Sequence, residues 1–145
     1  MPPQFNQSGV RTGGGLGCGG CHRPPEFAID PNSGNNGIIG VLNGTGIDIN
    51  NTRSPSLRDL TGPTGEPNGP MMHTGVLKTL QAVIGHYGQI NLAPGNTRLD
   101  PRLRPNGVGQ SLNLDQPTVD AVVAFLKTLT GSAVYASEKW ANPFR

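Results

Sequence analysis

Cys18-Gly19-Gly20-Cys21-His22 sets two thiols two residues apart, with an imidazole directly after the second. At this C-x-x-C-H spacing both sulfurs reach the two vinyl groups of one haem, and the histidine falls beneath the iron as proximal ligand. Three other uses compete. A structural zinc site needs four N/S ligands, and with 2 cysteines and 3 histidines in the chain the fourth would come from His73 or His86, far along the sequence. A thioredoxin-like pair opens a helix after a strand, whereas Arg11-Thr12-Gly13-Gly14-Gly15 precedes this motif without a strand pattern. A disulfide closing so short a loop contributes little. The cysteine arithmetic therefore points to one covalent haem c, anchored by Cys18 and Cys21 and ligated by His22.

Length and composition agree with a cofactor-centred chain. The 145 residues make a single domain, 1–145, and a hydrophobic content of 34% is low for a chain that must fill its own core. A haem supplies the missing apolar mass. With 22 glycines and 14 prolines, long ordered loops are expected. A formal charge of +2 without a Lys/Arg run excludes a nucleic-acid surface. No stretch approaches the roughly 18 apolar residues of a membrane span, and Met1-Pro2-Pro3-Gln4-Phe5 lacks the basic and apolar regions of a signal peptide. Covalent haem attachment belongs to the oxidising side of a bacterial membrane. The expectation is a periplasmic or otherwise extracytoplasmic protein whose leader, or a preceding domain, has been removed.

Residues 23–51 show many turn formers and almost no helical period, with a short extended piece at Ile38-Ile39-Gly40-Val41-Leu42, and are read as a loop over one haem edge. Asp30, Asn32 and Gly34 lack the further oxygen ligands and closing glutamate of a calcium loop, which leaves a solvated turn. Arg53 and Arg58 flank a proline-stiffened turn, as partners for haem propionates or as an ordinary surface pair. Val76, Leu80, Val83, Ile84 and Tyr87 recur at helical intervals up to Gly88. A second helix has Asp115 as N-cap, Pro117 in its first turn, Val119, Val122, Phe125, Leu126 and Leu129 on one side, and Gly131 as its stop. Between them, residues 93–110 carry Arg98, Arg102 and Arg104 and read as a solvated connection.

The order of these motifs, C-x-x-C-H at Cys18 to His22, R-x-P-S-L-R at Arg53 to Arg58, P-x-M-H-x-G at Pro70 to Gly75, a helix ending in His86-Tyr87, and V-A-F-L-K-T-L-T-G at Val123 to Gly131, resembles the C-terminal haem domain of the bacterial di-haem cytochrome c peroxidases and their MauG-like relatives. Residues 135–144 are similar to that family's terminus. The resemblance implies an all-α, cytochrome c-like haem domain with long Gly/Pro-rich loops. It also implies where the sixth iron ligand lies, since an ungapped match of Thr79 to Tyr87 puts Tyr87 where the peroxidases have methionine and MauG-like proteins tyrosine. Without the resemblance, Tyr87 reads as a core aromatic with its hydroxyl hydrogen-bonded. His86 and Met72 are the alternative ligands, and His73 is a haem-pocket residue. A phenolate ligand lowers the redox potential and a thioether raises it. Family enzymes carry two haem domains, the peroxide-reacting one first, whereas this sequence has one C-x-x-C-H and Thr74 in place of the acid of M-H-D-G. The expected function is electron transfer with a redox partner protein or a second haem domain. The alternative is a haem peroxidase or MauG-like oxidase acting on hydrogen peroxide, with His73 and His86 as acid/base groups.

Overall fold

The computed structural model describes residues 1–28, 30–50, 54–131, 135–141 and 144. Arg53 lies outside the described residues. Thr79 has extended backbone and its hydroxyl accepts a hydrogen bond from the Ala82 N–H at 3.1 Å, which starts α1 at Leu80–Gly88. The apolar period predicts a start one turn earlier. Instead Gly75 takes φ +64° and the Met71 N–H donates to the Leu77 carbonyl, folding 71–77 into a tight bridge that leaves Val76 58% exposed. At the other end the Gln110 side-chain amide donates to the Tyr87 carbonyl at 2.7 Å, satisfying an acceptor that the last turn leaves without a helical partner. α2, Gln116–Thr128, follows the expected pattern: the Asp115 carboxylate accepts from the Thr118 N–H at 3.0 Å, and proline sits in the first turn.

Leu80 and Ile84 of α1 meet Val123 and Leu126 of α2 in the buried core, and Leu57, Leu60, Met71, Leu114, Val119, Val122 and Leu129 pack around them. Phe125, expected on the inner side of α2, is 47% exposed and packs edge-to-face on Phe27, with ring centroids 5.6 Å apart. The exit of α2 is tied to the segment before α1, where the Gly131 N–H donates to the Asp59 carboxylate and the Thr61 and Thr130 hydroxyls hydrogen-bond each other. A two-stranded antiparallel hairpin, β1 at Gln4–Phe5 and β2 at Arg11–Gly13, precedes the cysteines. It is held to the α1–α2 connection by Arg11 N–H to Ser111 carbonyl and Ser111 N–H to Gly9 carbonyl bonds. Within 38–42, Gly40 makes one bridge to Ile47 and no strand forms.

Two stretches expected to be solvated are packed together instead. Asp30, Ser33, Asn35, Asn96, Asp100 and Gln110 are buried, and Arg102 is the charge that makes this possible. Its Nε and Nη2 donate to the two Asp100 oxygens at 2.9 and 2.7 Å, and its Nη1 donates to Asp30 Oδ2 at 2.5 Å. Asp100 also accepts from the Gly34 N–H at 2.7 Å, while its own N–H donates to the Asn35 carbonyl at 2.9 Å. Buried carboxylates persist only when paired and hydrogen-bonded in this way. At Asp100 burial alone raises the pKa, but the hydrogen bonds from Arg102 and the Gly34 N–H outweigh it and hold the carboxyl below its ordinary value. Asp30 is also lowered, first by the Arg102 hydrogen bond and then by the Asn32 N–H, with smaller help from the Arg102 and Arg23 charges.

Two outcomes follow for stability. Truncating Leu126 to alanine in the helix interface lowers unfolding free energy by about 2–5 kcal/mol, whereas Val76→Ala, outside α1, stays within about 0.5 kcal/mol; urea unfolding followed by circular dichroism compares them. Because the folded pKa values of Asp30 and Asp100 lie below their unfolded ones, their contribution is complete above the ordinary carboxylate pKa and is lost as pH falls through the folded values. Urea midpoints measured from pH 6 downward fall in the wild type, and this acid-dependent loss shrinks in Arg102→Gln.

Candidate functional site

Gly17, with φ +85°, turns the chain into a short 3-10 turn at Cys18–Gly20. The Cys21 and His22 N–H groups both donate to the Cys18 carbonyl, at 3.2 and 2.9 Å, so the two thiols and the imidazole issue from one turn. Both cysteines are free thiols. Burial raises both thiol pKa values; at Cys21 the Arg102 guanidinium is the next influence and opposes the rise. Burial lowers the His22 pKa, against the pull of the Pro55 carbonyl as hydrogen-bond acceptor, and favours the neutral ring that a metal requires. His22 Nδ1 is buried without a well-formed hydrogen bond. Free thiols at C-x-x-C spacing beside a half-buried imidazole are the donor set that a covalently held haem needs. Among the described residues no three His, Cys, Asp or Glu side chains gather as a metal-ion cage would require.

Tyr87 lies on the last turn of α1. Burial raises its phenol pKa, a hydrogen bond with the Asn36 side chain opposes the rise, and the nearby Cys21, Cys18 and Asp100 charges add to it. The Asn36 side-chain amide donates to Met72 Sδ at 3.2 Å, and the Asn36 carbonyl lies 2.8 Å from His86 Nε2. One asparagine thus gathers the three expected distal-side residues. The His86 ring also stands edge-to-face against Tyr87, centroids 5.2 Å apart. His73 is exposed, with Nε2 3.0 Å from the Gly40 carbonyl, and the Thr74 hydroxyl is buried without a partner. Arg58 is turned to Glu26 at 2.9 Å and to the Pro25 and Glu26 carbonyls, with both charged side chains well exposed.

Asn36, Pro55 and Arg102 are parts of this site that sequence reasoning does not single out. Asn36 sits in an Asn-rich stretch read as a loop over one haem edge, and Arg102 in a stretch read as a solvated connection. Local signals were present: Asn36 Oδ1 accepts from the Ile38 N–H two residues on, and Asp100 caps the short turn Pro101–Leu103. These patterns fix a turn but carry no information about burial.

No protein-family model matches the sequence, and no curated protein matches it. Among solved structures, the chain is similar to one described as the crystal structure of a MauG-like protein associated with microbial copper homeostasis, with a TM-score of 0.59 and 25% sequence identity. The match covers 90% of this chain and 47% of that one, so the chain spans about half the length of the matched protein. No helix among the described residues is long and apolar enough to cross a membrane. With two packed helices, a small hairpin, long loops and the attachment turn in place, the chain is similar to one cytochrome c-type domain of a MauG-like protein, in agreement with the family to which its motifs point.

Proposed function

We propose that this chain is an electron-transfer domain built on one covalently bound c-type haem. The observation that carries the reading is the single turn that presents Cys18, Cys21 and His22 together. Cys18 and Cys21 anchor the haem, His22 ligates the iron, and Tyr87 is the distal ligand. Bound there, the haem supplies a one-electron couple. His86 is the weaker distal choice because its Nε2 is already engaged at the Asn36 carbonyl. Met72 Sδ accepts a hydrogen bond from the Asn36 amide, which engages one of its two lone pairs. Ligation on both faces leaves peroxide no open position and favours electron transfer over catalysis. Covalent attachment through thiols places the protein on the extracytoplasmic side, and its partner is a redox protein or a second haem domain.

A second reading follows from the 47% coverage of the matched structure. In it the chain corresponds to one half of a two-domain oxidoreductase that reacts with hydrogen peroxide, relaying electrons to a haem in the other half.

Ferric absorption and EPR spectra test the ligand assignment. The wild type gives a low-spin signal, Tyr87→Phe converts it to high-spin and raises the midpoint potential, and His86→Leu leaves it low-spin. A wild type already high-spin and indifferent to Tyr87→Phe overturns Tyr87 ligation. Stopped-flow oxidation of a reduced donor by peroxide separates the readings: the chain by itself shows no turnover above free haem, and sustained turnover replaces electron transfer with catalysis.

A further inference from the structure

The attachment turn has two glycines between its thiols, and glycine gives up more backbone freedom on ordering than any other residue. The bonds from the Cys21 and His22 N–H groups to the Cys18 carbonyl close the turn on itself without fixing where it stands. Little packs against its outer side. Among the described residues, a Cβ on Gly19 would meet no atom within 4 Å, and one on Gly20 would meet Arg102 Cδ at 3.5 Å. One hold from outside the turn is a hydrogen bond across 82 positions of sequence, in which Arg102 Nη1 donates to the Gly20 carbonyl at 2.5 Å; Ser54 also bonds the Cys21 side chain, and the Pro55 carbonyl draws on the His22 ring.

Arg102 is suited to this because its own position is fixed first. Its guanidinium side chain is 36% exposed, yet the carboxylates that grip it, Asp100 and Asp30, are 3% and 5% exposed. Asp100 is in turn held through backbone bonds to Gly34 and Asn35. A planar fork with several donors can serve two carboxylates and a carbonyl at once, which a single ammonium cannot do with the same geometry. We propose that Arg102 is the positioning residue of the attachment turn, fixing Cys21 and His22 through the Gly20 carbonyl and thereby setting the direction of the imidazole toward the haem iron. This rests on the haem reading above.

The test uses holoprotein of the wild type, Arg102→Gln, Arg102→Lys and Arg102→Gln with Gly19→Ala. Amide hydrogen exchange and ferric EPR are recorded together. In Arg102→Gln the Cys21 and His22 amides exchange about tenfold faster, the factor expected from losing one charge-assisted hydrogen bond, while the amides of α2 keep wild-type rates. The EPR signal broadens or splits as His22 samples more than one orientation. Arg102→Lys falls between, and Gly19→Ala slows turn exchange again because alanine has fewer conformations to lose. Wild-type exchange at the turn together with a single wild-type EPR signal overturns the proposal, even if the variant melts earlier. Should Arg102→Gln not accumulate, Arg102→Lys decides by the same two readouts. A wild type lacking covalent haem refutes the haem reading instead, and turn exchange in that chain still tests the tether.

Discussion

One guanidinium shared between two buried carboxylates joins parts of the chain that nothing local would bring together. Arg102 pairs with Asp100 in its own segment and with Asp30 across 72 positions, and it reaches the Gly20 carbonyl besides. The apolar core between α1 and α2 is small, and it lies on the side of the molecule formed by residues 57–84 and 114–129. The loops that carry the cysteines and Asn36 are organised largely by polar contacts, with Gly37 beside the buried Ile90 and Leu99. Such a network is a costly way to hold a fold, since each buried charge depends on its partners, but it gives specific geometry where an apolar contact would let the backbone slide.

That division explains what could be read from the sequence. Helix α2 was legible down to its cap because Asp115, Pro117 and the apolar period act within a few residues of one another. The end of α1 was legible for the same reason, and its start was not. Thr79 is a capping residue, but Val76 continues the apolar period, and only the bridge of Met71 to Leu77 shows that the backbone there is not helical. The polar centre was not legible at all. Nothing near Asp30 or Arg102 in sequence reveals the other, and an Asn-rich or Arg-containing loop has the same composition whether it meets water or an opposite charge.

The candidate site divides in the same way. Cys18, Cys21 and His22 are defined by spacing, and the structure places all three on one turn. Tyr87 is singled out by the family resemblance, and it lies on the last turn of α1 beside His86. Arg58 pairs on the surface with Glu26 and with two carbonyls, contacts that its neighbours in sequence do not announce. Asn36 shows the converse: a residue with no motif stands among Tyr87, His86 and Met72. The similarity to a MauG-like structure supports the domain fold, and function still rests on the chemistry of these few side chains.

The grip of the Gln110 side chain on the Tyr87 carbonyl has a kinetic meaning under the proposed function. Tyr87 lies on the last turn of α1, the next residues are held by Ile90 N–H to Gln110 carbonyl and Leu112 N–H to Gly88 carbonyl bonds, and the phenol itself meets Asn36. As the distal ligand proposed above, a side chain restrained in this way would move little when the iron changes charge. The low inner-sphere reorganisation energy would let an electron enter and leave at small driving force, with the rate governed by distance and contact with the partner.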